Sequence, residues 1–217
     1  VFGKVKARQQ WAGSPAKKEG KASHPWPDQR PARRSWWVPL YITSSFFLAA
    51  VPLISLGAGL AVIGTWALYA DRLRDVMVRS LSLLPVATLT SLAVFAVITL
   101  VSVRLRSVGM TKGYHPVRSR VGWQVWFTER LLDSARTYLF PLYASLLTPI
   151  WFRALGVKVG KGTEISTALV LPKFTTIDDG AFLADDTMVA SYELGGGWLH
   201  IDDAKVGKRS FLGNSGI

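Results

Sequence analysis

Cysteine is absent from the 217 residues, and histidine is nearly so, with only His24, His115 and His200. The first absence excludes disulfides, thiolate-held metals and a cysteine nucleophile, though it does not identify a compartment. The second leaves three imidazoles for acid–base or metal chemistry. Charged residues make up only 18% of the chain, and two long runs have none. What charge there is leans one way: 26 Lys and Arg stand against 14 Asp and Glu, a formal net charge of +12. Such an excess points to an anionic partner, and its position along the chain decides which.

The first charge-free run covers residues 38–70. It is long enough to cross a hydrocarbon core of ~30 Å. Trp36, Trp37 and Tyr41 at its start and Trp66 and Tyr69 near its end match an interfacial aromatic belt. Pro39 and Pro52 are candidate kinks, and "GAG" at 57–59 is a weak signal for close helix contact. Residues 81–103 form the second charge-free run. Between them "DRLRDVMVRS" (residues 71–80) reads as a loop, since a charge at the centre of a span costs about 2.5–3.5 kcal/mol on insertion scales. The alternative, two buried helices of a soluble bundle, fits runs of this length poorly.

Before the first run, Lys4, Lys6, Arg8, Lys17, Lys18, Lys21, Arg30, Arg33 and Arg34 face only Glu19 and Asp28. Pro15, Pro25, Pro27 and Pro31 disfavour a continuous helix there, so residues 1–35 read as a basic linker. A nucleic-acid arm stacking through Trp11 and Trp26 is conceivable. The adjoining apolar run explains the charge better, by attraction to an anionic lipid surface, and no nucleic-acid partner is expected. Arg104, Arg106, Lys112, Arg118 and Arg120 come after the second run. Basic flanks on both sides predict a two-span hairpin over residues 36–105 with both ends in the cytoplasm, in the inner or plasma membrane.

Residues 106–156 form the next segment. "VGWQVWFTERLLDSARTYL" (121–139) alternates apolar and polar residues at helical spacing, as a helix on the membrane surface or against the next domain would. Residues 140–155 read as a helical lead-in that caps the exposed strand edge of the C-terminal domain.

From residue 157 the chain is read in sixes. Val159, Ile165, Leu171, Ile177, Leu183 and Val189 recur at that spacing, with Thr163, Leu169, Thr175, Ala181, Thr187 and Glu193 four residues after each. A period of six fits neither helix nor flat strand. It fits the hexapeptide form of a parallel β-helix, with one aliphatic per hexad pointing inward and Gly, Asp or Asn at the turns. After Gly195–Gly197 the pattern returns one residue out of phase at Val206 and Leu212. The sequence begins at Val1 and stops inside a hexad, so a piece of a longer protein is expected.

The stretch from Gly113 to Gly160, "GYHPVRSRVGWQVWFTERLLDSARTYLFPLYASLLTPIWFRALGVKVG", with "DDGAFLADDTMVASYELGGGW" and "VGKRSFLGNSG", resembles the C-terminal membrane region of non-ribosomal peptide synthetases of the poly-lysine-synthetase type. The longer string carries the likeness; the membrane hairpin matches in layout only. The resemblance implies a left-handed, acyltransferase-like β-helix that joins aminoacyl units. It implies a phosphopantetheine thioester supplied by a carrier domain elsewhere, and adenylation, carrier and further β-helix domains as partners beside the lipid bilayer. No cofactor is expected to be bound within this chain.

Hexapeptide acyltransferases commonly use a histidine as general base. His200 is the one histidine in the repeats, with Asp202 and Asp203 near enough in sequence to orient it; the bland alternative is a surface loop histidine. Asp185 and Asp186 are candidates for a cationic amino group, or plain turn carboxylates. Tyr192, Glu193 and Trp198 flank the glycine patch, where an irregular insert would carry a binding face. Lys208 and Arg209 suit a phosphate or a solvated corner. No metal site is expected, because a hexapeptide-fold zinc hydratase needs several histidines and His24 and His115 lie outside the repeats. The competing reading is a non-catalytic scaffold that positions synthetase domains at the membrane.

Overall fold

A computed structural model of the protein describes residues 6, 9–12, 16–21, 26–67, 69, 72–143 and 145–214. Lys4, Arg8, Pro15, His24, Pro25, Asp71 and the end of the last hexad lie outside the described residues. In the leader, β1 (Gln9–Ala12) and β2 (Lys17–Lys21) pair antiparallel, a hairpin the linker reading does not include.

The two apolar runs form α1 (Trp37–Ala67, 31 residues) and α2 (Leu73–Ser107, 35 residues). At 1.5 Å per residue they are about 46 and 52 Å long, enough to cross a bilayer. Only 17% and 28% of their most apolar windows are buried, so in water they would expose an apolar surface that soluble bundles avoid. They pack against each other as a hairpin. Gly59 sets the approach: a Cβ there would stand 2.6 Å from the Ala87 carbonyl oxygen, whereas one at Gly57 would meet open space.

Residues 73–80, expected as loop, are instead the first turns of α2. They contain no Gly or Pro, and Asp75 in the first turn complements the helix dipole. Arg79 from this stretch donates to the carbonyls of Trp66 (3.5 Å) and Tyr69 (3.3 Å). It thereby serves acceptors left open where α1 ends.

After α2 come β3 (Gly113–Pro116) and α3 (Arg120–Tyr138), the latter N-capped by the Ser119 hydroxyl, which accepts from the Gly122 N–H at 3.2 Å. The amphipathic α3 lies between the long helices and the strands beyond. Trp123 donates to the Ser44 hydroxyl of α1 at 2.9 Å, and the Arg106 guanidinium of α2 sits 3.4 Å over the Phe127 ring. Two short helices come next, α4 (Phe140–Tyr143) and α5 (Thr148–Leu155), and α5 ends on Gly156 at φ 113°.

Short strands fill the remainder: β4 (Lys158–Val159), β5 (Glu164–Ile165), β6 (Leu169–Val170), β7 (Thr175–Ile177), β8 (Phe182–Leu183) and β9 (Met188–Val189). Consecutive strands do not pair. Each pairs in parallel with the third strand on: β4 with β7, β5 with β8, β6 with β9. Val159 faces Ile177 and Ile165 faces Leu183, eighteen residues or three hexads apart. Ile165, Ile177, Leu183 and Val189 are buried, and so are Thr163, Leu169, Thr175, Ala181 and Thr187. The hexad register slips at Leu171: Val170 faces Val189, nineteen residues on, and Leu171 is buried instead with Met110 and Leu199. α5 covers the β4 end, where Arg153 donates to the carbonyls of Val159 (3.1 Å) and Gly160 (2.6 Å).

The phase slip is an inserted hairpin. β10 (Tyr192–Gly195) and β11 (Trp198–Ile201) turn on Gly196 (φ 59°) and Gly197 (φ 90°). Then β12 (Ala204–Val206) and β13 (Phe211–Leu212) rejoin the ladders, placing Val206 beside Ile177 and Leu212 beside Leu183. β11 also pairs antiparallel with β3, which ties the insert to the end of α2. One buried cluster runs from Phe95 and Phe127 through Phe152 and Leu155 to Ile165, Ile177 and Leu183. The helices and strands therefore share a core.

Candidate functional site

The sheet β10–β11–β3 has two faces because side chains alternate. Leu199 and Ile201 point inward and are buried with Met110, Val125, Leu171 and Phe174. On the outer face Glu193, His200 and Tyr114 stand in register across the three strands. The His200 and Tyr114 rings stack with centroids 4.4 Å apart and planes 22° off parallel. Trp26 meets the Tyr114 ring edge-on at 5.9 Å and covers Gly195, where any Cβ would collide with the indole. Trp198 donates its Nε1–H to the Gln29 carbonyl at 2.9 Å. Leader residues 26–29 thus strap the edge of this face.

Asp202 and Asp203 come directly after β11, but they turn to Lys112 and not to His200. The Lys112 ammonium pairs with Asp203, and Asp202 lies 3.5 Å from it. Asp202 also accepts from the Asp203 N–H at 2.7 Å. That hydrogen bond, then Lys112 and the nearby His200, hold the Asp202 carboxyl below its usual pKa. The expected carboxylate–imidazole pair is thus replaced by a lysine clasp, because Lys112 crosses from the segment before β3. Among the described residues His200 is oriented by stacking instead. His115 serves structure, its Nε2 donating to the Thr111 carbonyl at 2.8 Å.

Asp185 and Asp186 lie in the turn between β8 and β9, apart from His200 and its partners. Asp186 has φ 54° and accepts from Arg136 of α3 at 3.2 Å. Asp185 accepts from the Ser166 and Thr167 hydroxyls and borders a groove of about 480 Å³. Phe140, Tyr143 and Leu146 wall that groove on the helix side, Glu164, Ser166 and Phe182 on the strand side.

Over 119 residues the chain is 39% identical to delta-poly-L-ornithine synthetase of Acinetobacter baumannii (strain AB307-0294), a match taking in 53% of this chain. This chain is similar to part of a poly-amino-acid synthetase. It spans 9% of that protein's length. The matched stretch is about twice as long as the strand region from residue 157, so the similarity extends beyond the hexads. No family model and no solved structure matches the chain.

The other expected site residues divide. Tyr192 leaves the outer face: its hydroxyl donates to Glu129 of α3 at 2.7 Å. Burial first, then that carboxylate, raises the phenol far above its usual pKa. Glu193 stays exposed across from His200. Lys208 and Arg209 sit at a corner where Arg209 (φ 53°) donates its N–H to the Asp179 carbonyl at 3.1 Å.

Sequence reasoning does not assemble one further feature. Arg30, Arg33 and Arg118 line a cleft of about 580 Å³ whose opposite wall is the Gly196–Gly197 turn. None of the three has a carboxylate partner among the described residues. Each arginine belongs to a basic flank that membrane topology already explains, so nothing in the sequence marks them as neighbours.

Proposed function

We propose that this chain is the membrane-anchored, acyltransferase-like part of a non-ribosomal peptide synthetase. In this reading the ladder region is a left-handed parallel β-helix of hexapeptide type. The hairpin crosses the inner or plasma membrane with both ends cytoplasmic, beside adenylation, carrier and further β-helix domains. The observation that carries the reading is the 39% identity to a poly-amino-acid synthetase over more than the strand region. Three parallel ladders, two stepping by eighteen residues and one by nineteen, support the β-helix.

The reaction is amide formation between an amino-acid amine and an aminoacyl thioester. The amine nitrogen attacks the thioester carbonyl, the C–N bond forms, the C–S bond breaks, and the thiol leaves carrying the proton that the amine gives up. A thioester is already activated, so the site has to supply proximity, a base for the amine and donors for the developing oxyanion. His200, stacked and partly open on the outer face, takes the proton in this scheme, with Glu193 beside it for an ammonium group. The phosphopantetheine arm belongs to a carrier domain elsewhere and supplies the thiol. Arg30, Arg33 and Arg118 have the charge and room to receive its phosphate, and the Gly196–Gly197 turn of their cleft belongs to the hairpin that carries His200.

A scaffold without catalysis is the second reading, favoured by one observation: Lys112 occupies both carboxylates that would have oriented the imidazole. The two readings separate in the full synthetase carrying His200→Ala, with aminoacyl loading of the carrier assayed apart from product formation. A positioned base contributes about 10²–10⁴-fold. Intact loading with condensation lost to that extent supports His200 as base; unchanged condensation leaves the scaffold reading.

A further inference from the structure

The segment joining α3 to α5 does not stand clear of the long helices. Tyr138, at the end of α3, stacks on Phe95 of α2 with centroids 5.3 Å apart and planes 26° off parallel. At the other end, Arg104 of α2 donates to the Ala154 carbonyl near the end of α5 at 2.7 Å. Phe95 and Arg104 are nine residues apart on one helix, so α3 and α5 together descend and return by about 14 Å along α2. Arg104 is the first residue after the charge-free run 81–103. The low point at Phe95 is therefore well inside the apolar zone, within one leaflet of a ~30 Å core.

The composition of the segment agrees. Residues 137–152 contain no charged side chain. The charges that bound it turn back onto the strands: Arg136 donates to the Thr167 carbonyl and Asp186, Arg153 to the Val159 and Gly160 carbonyls. Exposed at the low end are Tyr138, Phe140, Leu147, Ile150 and Leu146, the last 91% accessible. A leucine so bare, with four large apolar neighbours, is costly in water and not in lipid.

Hydroxyls within the turn also serve its backbone groups, as a low-dielectric setting favours. The single Thr148 O–H lies within hydrogen-bond reach of the carbonyls of Leu142 (3.1 Å), Ser145 (2.9 Å) and Tyr143 and donates among them. The Ser145 hydroxyl donates to the Leu142 carbonyl at 2.8 Å and accepts from the Leu147 N–H at 3.1 Å.

We propose that the α3–α5 turn is a third membrane-embedded element, which dips into the leaflet beside α2 and returns without crossing. Its partner is the acyl region of the bilayer. The groove between this turn and the β5–β8 face, walled by Phe140 and Leu146, then opens at the lipid–water boundary and not into bulk cytosol. The inference rests on the hairpin crossing the membrane and is independent of any catalytic role.

Because the chain has no cysteine, single cysteines can be spin-labelled in the 217-residue chain reconstituted in phosphatidylcholine–phosphatidylglycerol vesicles. Leu146→Cys reports the turn, Leu56→Cys an exposed face of α1, and Lys208→Cys an exposed strand corner. Accessibility to oxygen and to a water-soluble nickel chelate is measured at each. The expected result is loss of chelate access and gain of oxygen access at Leu146 matching Leu56, with the opposite at Lys208. A water-like signal at Leu146 with a lipid-like one at Leu56 overturns the embedded turn alone. A water-like signal at Leu56 overturns the hairpin reading and this proposal with it. Since Leu146 packs against almost nothing, the substitution leaves the fold intact.

Discussion

Leu183→Ala and Phe182→Ala are adjacent substitutions that test the inward–outward alternation of the ladders. Leu183 is 0% accessible and sits in the middle of a row, between Ile165 below and Leu212 above. Phe182, its neighbour, is 38% accessible and stacks on Phe211 at 5.4 Å. Truncating a buried leucine costs about 2–5 kcal/mol, more where the surroundings cannot collapse. Strands β5 and β13 hold β8 on both sides, so the upper half of that range applies. Truncating Phe182 removes a partly exposed ring and an aromatic pair worth about 0.5–1.5 kcal/mol, and about 1–2 kcal/mol in all is expected. Amide hydrogen exchange of peptides covering β7–β9, in detergent micelles, reads the local opening free energy directly. Because stacked repeats stabilise their nearest neighbours, exchange should rise most in β7–β9 and least in the parts of α1 and α2 far from the shared core. If Leu183→Ala loosens these strands no more than Phe182→Ala, the register of the coil is wrong.

Gly59→Ala should lower the thermal stability of the hairpin by about 1–3 kcal/mol through overpacking against the Ala87 carbonyl, while Gly57→Ala, facing open space, should be neutral or slightly stabilising; melting of the two variants in one detergent compares them. Tyr192→Phe should cost about 1.5–3 kcal/mol, the range for a hydrogen bond to a charged group, read as faster exchange of the β10–β11 amides. The Tyr192 pKa is raised on folding, so its contribution is complete below the unfolded phenol pKa and is lost as pH rises through the folded one. The Lys112 clasp should fail at both extremes. The lowered Asp202 pKa gives stability that is present above the unfolded carboxyl pKa and lost as pH falls through the folded one. The raised Lys112 pKa gives stability present below the unfolded ammonium pKa and lost above the folded one. Exchange across the β3–β11 ladder against pH checks this, and a flat profile would count against the clasp.

The parts legible in the sequence are those written by local period. A charge-free run of helix length and an aliphatic at every sixth residue each state their environment without reference to distant residues. The start of α2 is not legible in the same way, because its charges suggest a loop. Yet a helix leaves the hydrocarbon without ending, and Arg79 is used to finish α1. The slip before Val206 is visible as a slip; that it is a hairpin docked on β3 is not, since its partner strand lies more than seventy residues away. Handedness is likewise not encoded in spacing. Site chemistry suffers most. Proximity in sequence pairs Asp202 and Asp203 with His200, and Lys112, far away in the chain, holds them instead. Arg30, Arg33 and Arg118 meet only through folding.

Coupling between the helices and the insert is a consequence of how few residues join them. The leader crosses the outer face of β10–β11–β3 at Trp26 and Gln29, and α1 begins at Trp37. On the other side β3 begins six residues after α2 ends, and Lys173, from the corner before β7, donates to the carbonyls of Ser107 (2.8 Å) and Met110 (2.6 Å). Tyr41 of α1 donates to the Val117 carbonyl at 2.9 Å, just past β3. The His200 face and the arginine cleft are therefore fixed to the same end of both long helices. Residues of α3 are packed into the core that the long helices and the strands share, which holds the strands at that end. A ligand held in the cleft would lie against the hairpin that carries His200, at the end where α1 begins and α2 finishes.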